Sequence, residues 1–206
     1  MNSSYWPWKY LFQLHHLLAD KMNLKEVAGY IESGAEARKA LDPSAVMETG
    51  NAISEAFSQG GKLIIFGNGG SAADAQHIAA EFVGRFEKER MPLPAMALNT
   101  NTSSLTAIGN DYGFDSIFSR QVEAFARKGD VVVGISTSGN SKNVNLALEK
   151  ANAMGCLTIA LTGRDGGSMI RIAKNSIIVK SSRTSIIQEV HIAVGHMWSK
   201  IVEDSM

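Results

Sequence analysis

Two short runs hold most of the chemistry open to this chain of 206 residues. Ser136-Thr137-Ser138-Gly139-Asn140-Ser141 sets four hydroxyls around one glycine where a helical pattern begins. Side-chain O–H donors, free N–H groups and the positive end of a helix dipole converge there, an uncharged cradle for a phosphate. A helix cap needs only one such hydroxyl, so capping leaves the rest unexplained. Gly67-Asn68-Gly69-Gly70-Ser71 places three glycines in four positions, where a ligand can lie against main-chain N–H groups that no Cβ shields. It lacks the Walker lysine and misses the G-x-G-x-x-G spacing, so alone it reads equally well as a tight turn between strand and helix. His77 and Glu81 follow four apart and share a helix face just beyond that turn, either as an acid/base pair or as a surface pair. Near the C-terminus, His191 and His196 lie about 140° apart around one helix, so only one of them can face a common pocket.

The elements that position these groups alternate. Leu63-Ile64-Ile65-Phe66 is an unbroken apolar run suited to a strand buried on both faces, and Ala72–Phe86 reads as the helix after it. Leu93–Leu98, Val131–Ile135, Cys156–Leu161 and Ser176–Val179 are four further strands. Helices are expected over Leu24–Ala40, from Asp42-Pro43 to Gly60, over Ser116–Lys128, Lys142–Met154 and Ser168–Ala173, and over a long final stretch, Thr184–Glu203. Asn101-Thr102-Ser103-Ser104 caps a brief helix ending at Gly109, Asn110–Asp115 reads as a loop, and Thr162-Gly163 as a turn. Five strands with helical crossovers imply an α/β fold, a three-layer doubly wound five-stranded parallel sheet with two N-terminal helices and a long C-terminal one. Ligands in such sheets bind at the carboxyl ends of the strands, where both special loops fall.

Composition narrows the functions. At 45% hydrophobic and 19% charged the chain can bury one good core, and a net charge of zero gives no extended basic footprint for nucleic acid. The lone Cys156, at the head of an apolar run, reads as a small buried hydrophobe. No apolar stretch is long enough to span a membrane, and the cytoplasm is the simplest address. Residues 1–21 differ from the rest: Tyr5, Trp6, Trp8, Tyr10 and Phe12 crowd around Pro7. They read as a packing or membrane-touching arm, or as an N-terminal extension that the domain over residues 22–206 does not need. Adjacent His15 and His16 point apart on a helix and make a poor chelating pair.

Taken together, Gly67-Asn68-Gly69-Gly70-Ser71 with His77 and Glu81, Gly109-Asn110-Asp111-Tyr112-Gly113-Phe114, Gly134–Ser141, Leu161–Gly167 and Ile187-Gln188-Glu189-Val190-His191 resemble the sugar isomerase (SIS) domain family, and within it the phosphoheptose isomerases. The resemblance runs in order from about Leu24 to Glu203. It implies a homotetramer with active sites shared between subunits, and an aldose–ketose isomerase that converts sedoheptulose 7-phosphate to D-glycero-D-manno-heptose 7-phosphate for heptose biosynthesis. It makes Glu81 and His196 the acid/base pair, which selects His196 over His191. It places Asn68, Gly69, Gly70, Glu81, Asn110, Asp111, Ser136, Thr137, Ser138, Ser141 and Gln188 against substrate, with Ser136, Ser138 and Ser141 on the phosphate. Some members hold zinc with the positions matching His77, Glu81, Gln188 and His196, which makes one Zn2+ per subunit the expected cofactor. Where the family commonly carries Asp-Arg, this chain has Ser185-Ile186. The rival implied by the same resemblance is a non-catalytic SIS-domain binding protein, a replication-initiator partner or a sugar-phosphate sensor. The presence of both Glu81 and His196 favours the enzyme.

Overall fold

The structure, a computed structural model, describes residues 22–206, so the extension expected over residues 1–21 lies outside the described residues. The described elements are α1 (Leu24–Lys39), α2 (Pro43–Ser58), β1 (Leu63–Gly67), α3 (Gly70–Val83), β2 (Ala95–Ala97), α4 (Thr102–Tyr112), α5 (Ser119–Phe125), β3 (Val131–Ser136), α6 (Lys142–Ala153), β4 (Leu157–Gly163), β5 (Asn175–Val179) and α7 (Thr184–Asp204). Helix α1 starts at a reciprocal cap, in which Glu26 N–H donates to Asn23 Oδ1 and Asn23 N–H to Glu26 Oε2. Helix α2 starts where Asp42 accepts the Ser44 N–H and Pro43 supplies a preset first turn.

The five strands form one parallel sheet in the order β2-β1-β3-β4-β5. Because side chains alternate across a strand, each strand feeds two cores. Leu63, Ile65, Val131, Val133, Ile135, Ile159 and Leu161 pack with residues of α2, α3 and α7. Ile64, Phe66, Val132 and Ala160 pack with Phe118, Val122, Val144 and Leu148 on the other face. Strands buried on both faces read as continuous apolar runs, which is why β1, β3 and β4 were legible. The chain order reverses direction between β1 and β3, the switch point at which doubly wound sheets open a crevice. The turn after β1 and the loop after β3 line that crevice.

Several element limits differ from expectation. Helix α4 continues through Asn110, Asp111 and Tyr112, so the loop begins at Gly113, whose φ is 84°. Gly109 lies inside the helix, where a single glycine costs only about 1 kcal/mol and does not stop it. The helix expected over Ser116–Lys128 is a 3-10 turn, Phe114–Ser116, followed by the shorter α5, because Ile117 and Phe118 between them turn into the core. The helix over Ser168–Ala173 is a single 3-10 turn, Met169–Arg171. Thr162 and Gly163 are not a turn but the last residues of β4, paired with Ile178 and Val179.

One contact fixes how near α7 comes to α3. A Cβ built on Gly195 would lie 2.4 Å from Ile78 Cγ1, so only glycine permits this crossing. Trp198, fully buried one turn further on, donates its indole N–H to Thr49 Oγ1 at 2.9 Å and ties α7 to α2. Gly195→Ala is expected to cost about 1–3 kcal/mol through overpacking, seen as a lower melting temperature by calorimetry; an unchanged melting temperature would show that the two helices are not in close contact.

Candidate active site

The loop after β3 is built as the sequence suggests. Ser136, almost fully buried, ends the strand, and its hydroxyl lies 2.8 Å from that of Ser141, the residue that caps α6. Thr137 and Ser138 are half-buried between them. Gly139 is required twice over: its φ is 66°, and a Cβ there would meet the Gly166 carbonyl at 1.9 Å. The loop after β4 therefore presses against the hydroxyl loop. Asn140 Oδ1 accepts the Ser168 N–H at 2.9 Å, which fastens the two together.

The glycine turn after β1 is fastened to the same place. The side-chain amides of Asn68 and Asn143 bond reciprocally, Nδ2 to Oδ1, at 2.9 and 3.0 Å. This pair bridges the two halves of the crevice. Gln188 of α7 lies directly over Gly70, where a Cβ would fall 2.3 Å from its Nε2. Gly70 thus serves as the floor under an amide, and Gln188 reaches the turn expected to contact substrate.

Beyond the turn, α3 and α7 bring together the three groups singled out for acid/base and metal chemistry. His77 Nε2 lies 3.0 Å from Glu81 Oε1. The ring of His196 stands edge-on to His77, with centroids 5.2 Å apart. One ligand atom from each of His77, Glu81 and His196 falls within 4.8 Å of the other two. Two imidazoles and a carboxylate at this spacing suit zinc. His77 is half exposed and Glu81 about one-fifth exposed, so this side of the site is open in the single chain. Asn110 and Asp111 are exposed at the end of α4 and bond to each other, Asn110 Nδ2 to Asp111 Oδ1 at 2.8 Å.

His191 takes no part in that cluster. It is fully buried, with Nε2 3.1 Å from the Thr162 carbonyl. Burial pulls its pKa down to about 4 against the smaller opposing effect of that bond, so it stays neutral and serves packing. The Ser185-Ile186 departure divides in the same way. Ser185 is exposed in the first turn of α7, whereas Ile186 is buried in the protein interior.

A group the sequence reading passed over belongs with the site. Asp74 shares the face of α3 with Gly70, His77 and Glu81, at positions i, i+4, i+7 and i+11. Its Oδ2 is buried without a hydrogen-bond partner. Burial pushes its pKa up to about 6, opposed in part by the charge of His77. The helical stripe was the signal that could have found it.

The chain belongs to the SIS-domain family, whose domain model matches residues 26–163. Its relatives narrow the branch. Over 180 residues it is 55% identical to the probable phosphoheptose isomerase of Thermoplasma volcanium, covering 87% of this chain and 92% of that one. It is 53% identical to the phosphoheptose isomerase of Aquifex aeolicus, over 88% of this chain and 96% of that one. The solved phosphoheptose isomerase of Neisseria gonorrhoeae superposes with a TM-score of 0.82 at 43% identity, over 87% of this chain and 98% of that one.

Proposed function

We infer that the chain is a phosphoheptose isomerase, an aldose–ketose isomerase of heptose biosynthesis that interconverts sedoheptulose 7-phosphate and D-glycero-D-manno-heptose 7-phosphate. The observation that carries this reading is the convergence of His77, Glu81 and His196 within 4.8 Å, in a chain more than half identical to proteins of that name. A binding protein would need the hydroxyl loop but no such cluster.

The reaction moves a carbonyl between C1 and C2 through an enediol. Glu81 removes the proton from one carbon and returns it to the other, while His196 moves protons between the two oxygens. His77, 3.0 Å from Glu81, orients that carboxylate. Ser136, Ser138 and Ser141 hold the phosphate at the other end of the sugar with Thr137 beside them, and the α6 N-terminus adds its dipole. Asn68, Gly69, Gly70 and Gln188 bind the chain of hydroxyls between. His77, Glu81 and His196 would hold a zinc ion, with the Gln188 oxygen as a weaker fourth donor. When bound, zinc supplies Lewis-acid polarisation of the sugar oxygens.

Glu81→Gln is expected to lower turnover by roughly a hundred- to ten-thousandfold, with phosphate binding at the Ser136–Ser141 loop nearly unchanged by calorimetric titration. A variant that kept most of its rate would remove Glu81 from the chemistry. Exhaustive chelation is expected to reduce activity, with restoration by added zinc; full turnover in metal-free protein would leave His77 only its orienting role.

Assembly as a homotetramer with shared sites has two supports. The cluster is open on one side, and an apolar groove of about 380 Å³ between α2 and α7 is lined by Leu41, Val46, Met47, Met197 and Ile201. Asn110 and Asp111, exposed here, would then reach a neighbouring subunit's substrate. Residues 22–206 are proposed to form the SIS domain, with residues 1–21 dispensable. Protein beginning at Met22 is therefore expected to remain tetrameric by light scattering and fully active, whereas a monomer or lost turnover would contradict both points. Among the described residues no helix is long and apolar enough to cross a membrane. The proposed compartment is the cytoplasm, and recovery of the protein in another fraction of lysed cells would contradict that.

A further inference from the structure

We propose that Phe86 is a positioning residue for the acid/base pair, the platform on which the His196 ring is oriented, itself held in place by the buried Arg90–Glu203 ion pair, which also reaches the backbone of Glu81. This rests on the assignment of Glu81 and His196 above.

The His196 ring is set by its neighbours' rings. It lies nearly flat on Phe86, with centroids 5.5 Å apart and planes 24° apart, and takes the edge of His77 on another side. Stacking of this kind fixes the plane of an imidazole while leaving both nitrogens free for protons or metal. The platform must therefore stay still. Yet Phe86 sits three residues beyond α3 in a stretch without regular structure that runs to β2, where backbone mobility would be the default.

Glu203, near the end of α7, removes that mobility. Its carboxylate accepts three successive backbone N–H groups, from Phe86 at 2.8 Å, Glu87 at 2.9 Å and Lys88 at 3.0 Å. Consecutive N–H groups turned onto one anion form a compact nest. Arg90 balances the charge through Nε at 3.2 Å, and the two side chains are only 7% and 1% exposed. The remaining guanidinium nitrogens donate to the carbonyls of Glu81 at 2.6 Å, Phe82 at 2.8 Å and Met91 at 3.0 Å. The pair thus fixes the end of α3 that bears Glu81, the Phe86 platform and the helix that bears His196. A buried ion pair gains little net stability over an apolar replacement, whereas breaking one is costly, which fits retention for geometry.

The test uses Phe86→Leu, which keeps apolar bulk but loses the flat face, and Phe86→Tyr, which keeps it. With sedoheptulose 7-phosphate, Phe86→Leu is expected to lower kcat about ten- to a hundredfold, the scale of a small misplacement of a catalytic group, with KM nearly unchanged. Phe86→Tyr should restore the wild-type rate. In metal-free protein the His196 imidazole signals in nitrogen-15 NMR should be sharp in wild type and in Phe86→Tyr, and exchange-broadened in Phe86→Leu. Unchanged kcat and unchanged His196 signals in Phe86→Leu would overturn the proposal, as would failure of Phe86→Tyr to restore them. The NMR readout needs no turnover, so it separates this idea from the isomerase assignment: an inactive wild type with a His196 ring ordered by Phe86 would sink only the latter.

Discussion

The site depends on the distance between two helices. His77 and Glu81 belong to α3 and His196 to α7, and the helices approach closely only because Gly195 meets Ile78 without a side chain between them. Interiors are packed like crystals, so a methyl group here would have to displace the buried Ile78 side chain or the helix that carries it. The same approach lays Gln188 over Gly70 at the other end of the crossing. Two glycines, one on each helix, therefore set the width of the crevice from the proposed sugar-binding turn to the proposed proton-transfer groups.

Polar fastenings hold the rest in register. The reciprocal Asn68–Asn143 amide pair joins the loops after β1 and β3 across the switch point of the sheet. The Asn140–Ser168 bond joins the loop after β4 to the hydroxyl loop. Each satisfies groups that would be costly to leave unpaired in a half-buried crevice. The proposed phosphate cradle of hydroxyls and N–H groups carries no fixed charge, so any selectivity it has must come from this rigidity. At the far end, the buried Arg90–Glu203 pair serves the proposed acid/base groups in the same way.

Much of this was legible in the sequence because parallel strands buried on both faces have little choice of composition. Val131–Ile135 could be little else, and the hydroxyl loop that follows has too many Ser and Thr for capping alone. His77 and Glu81 were found through helical spacing. The choice between His191 and His196 was not open to periodicity and came from resemblance; the structure separates them, placing one deep against Thr162 and the other beside His77. What escaped was non-local. Glu203 lies 113 residues from Arg90, and nothing in either neighbourhood announces the pairing. Asp74 carries no signal beyond its helical spacing, and its partial burial comes from the folded packing. The 3-10 turn Phe114–Ser116 escaped because Ile117 and Phe118 are drawn into the core by packing that local propensity does not describe.

The central claim, that the α3–α7 cluster passes a proton between the two carbons of a sugar phosphate, is tested most directly by running sedoheptulose 7-phosphate with the purified protein in deuterium oxide and following the sugar by NMR. The expected result is an aldose 7-phosphate that carries solvent deuterium at C2, because a base that holds the proton between carbons in a half-open site exchanges it with the medium. Binding of the ketose with no aldose formed would contradict it.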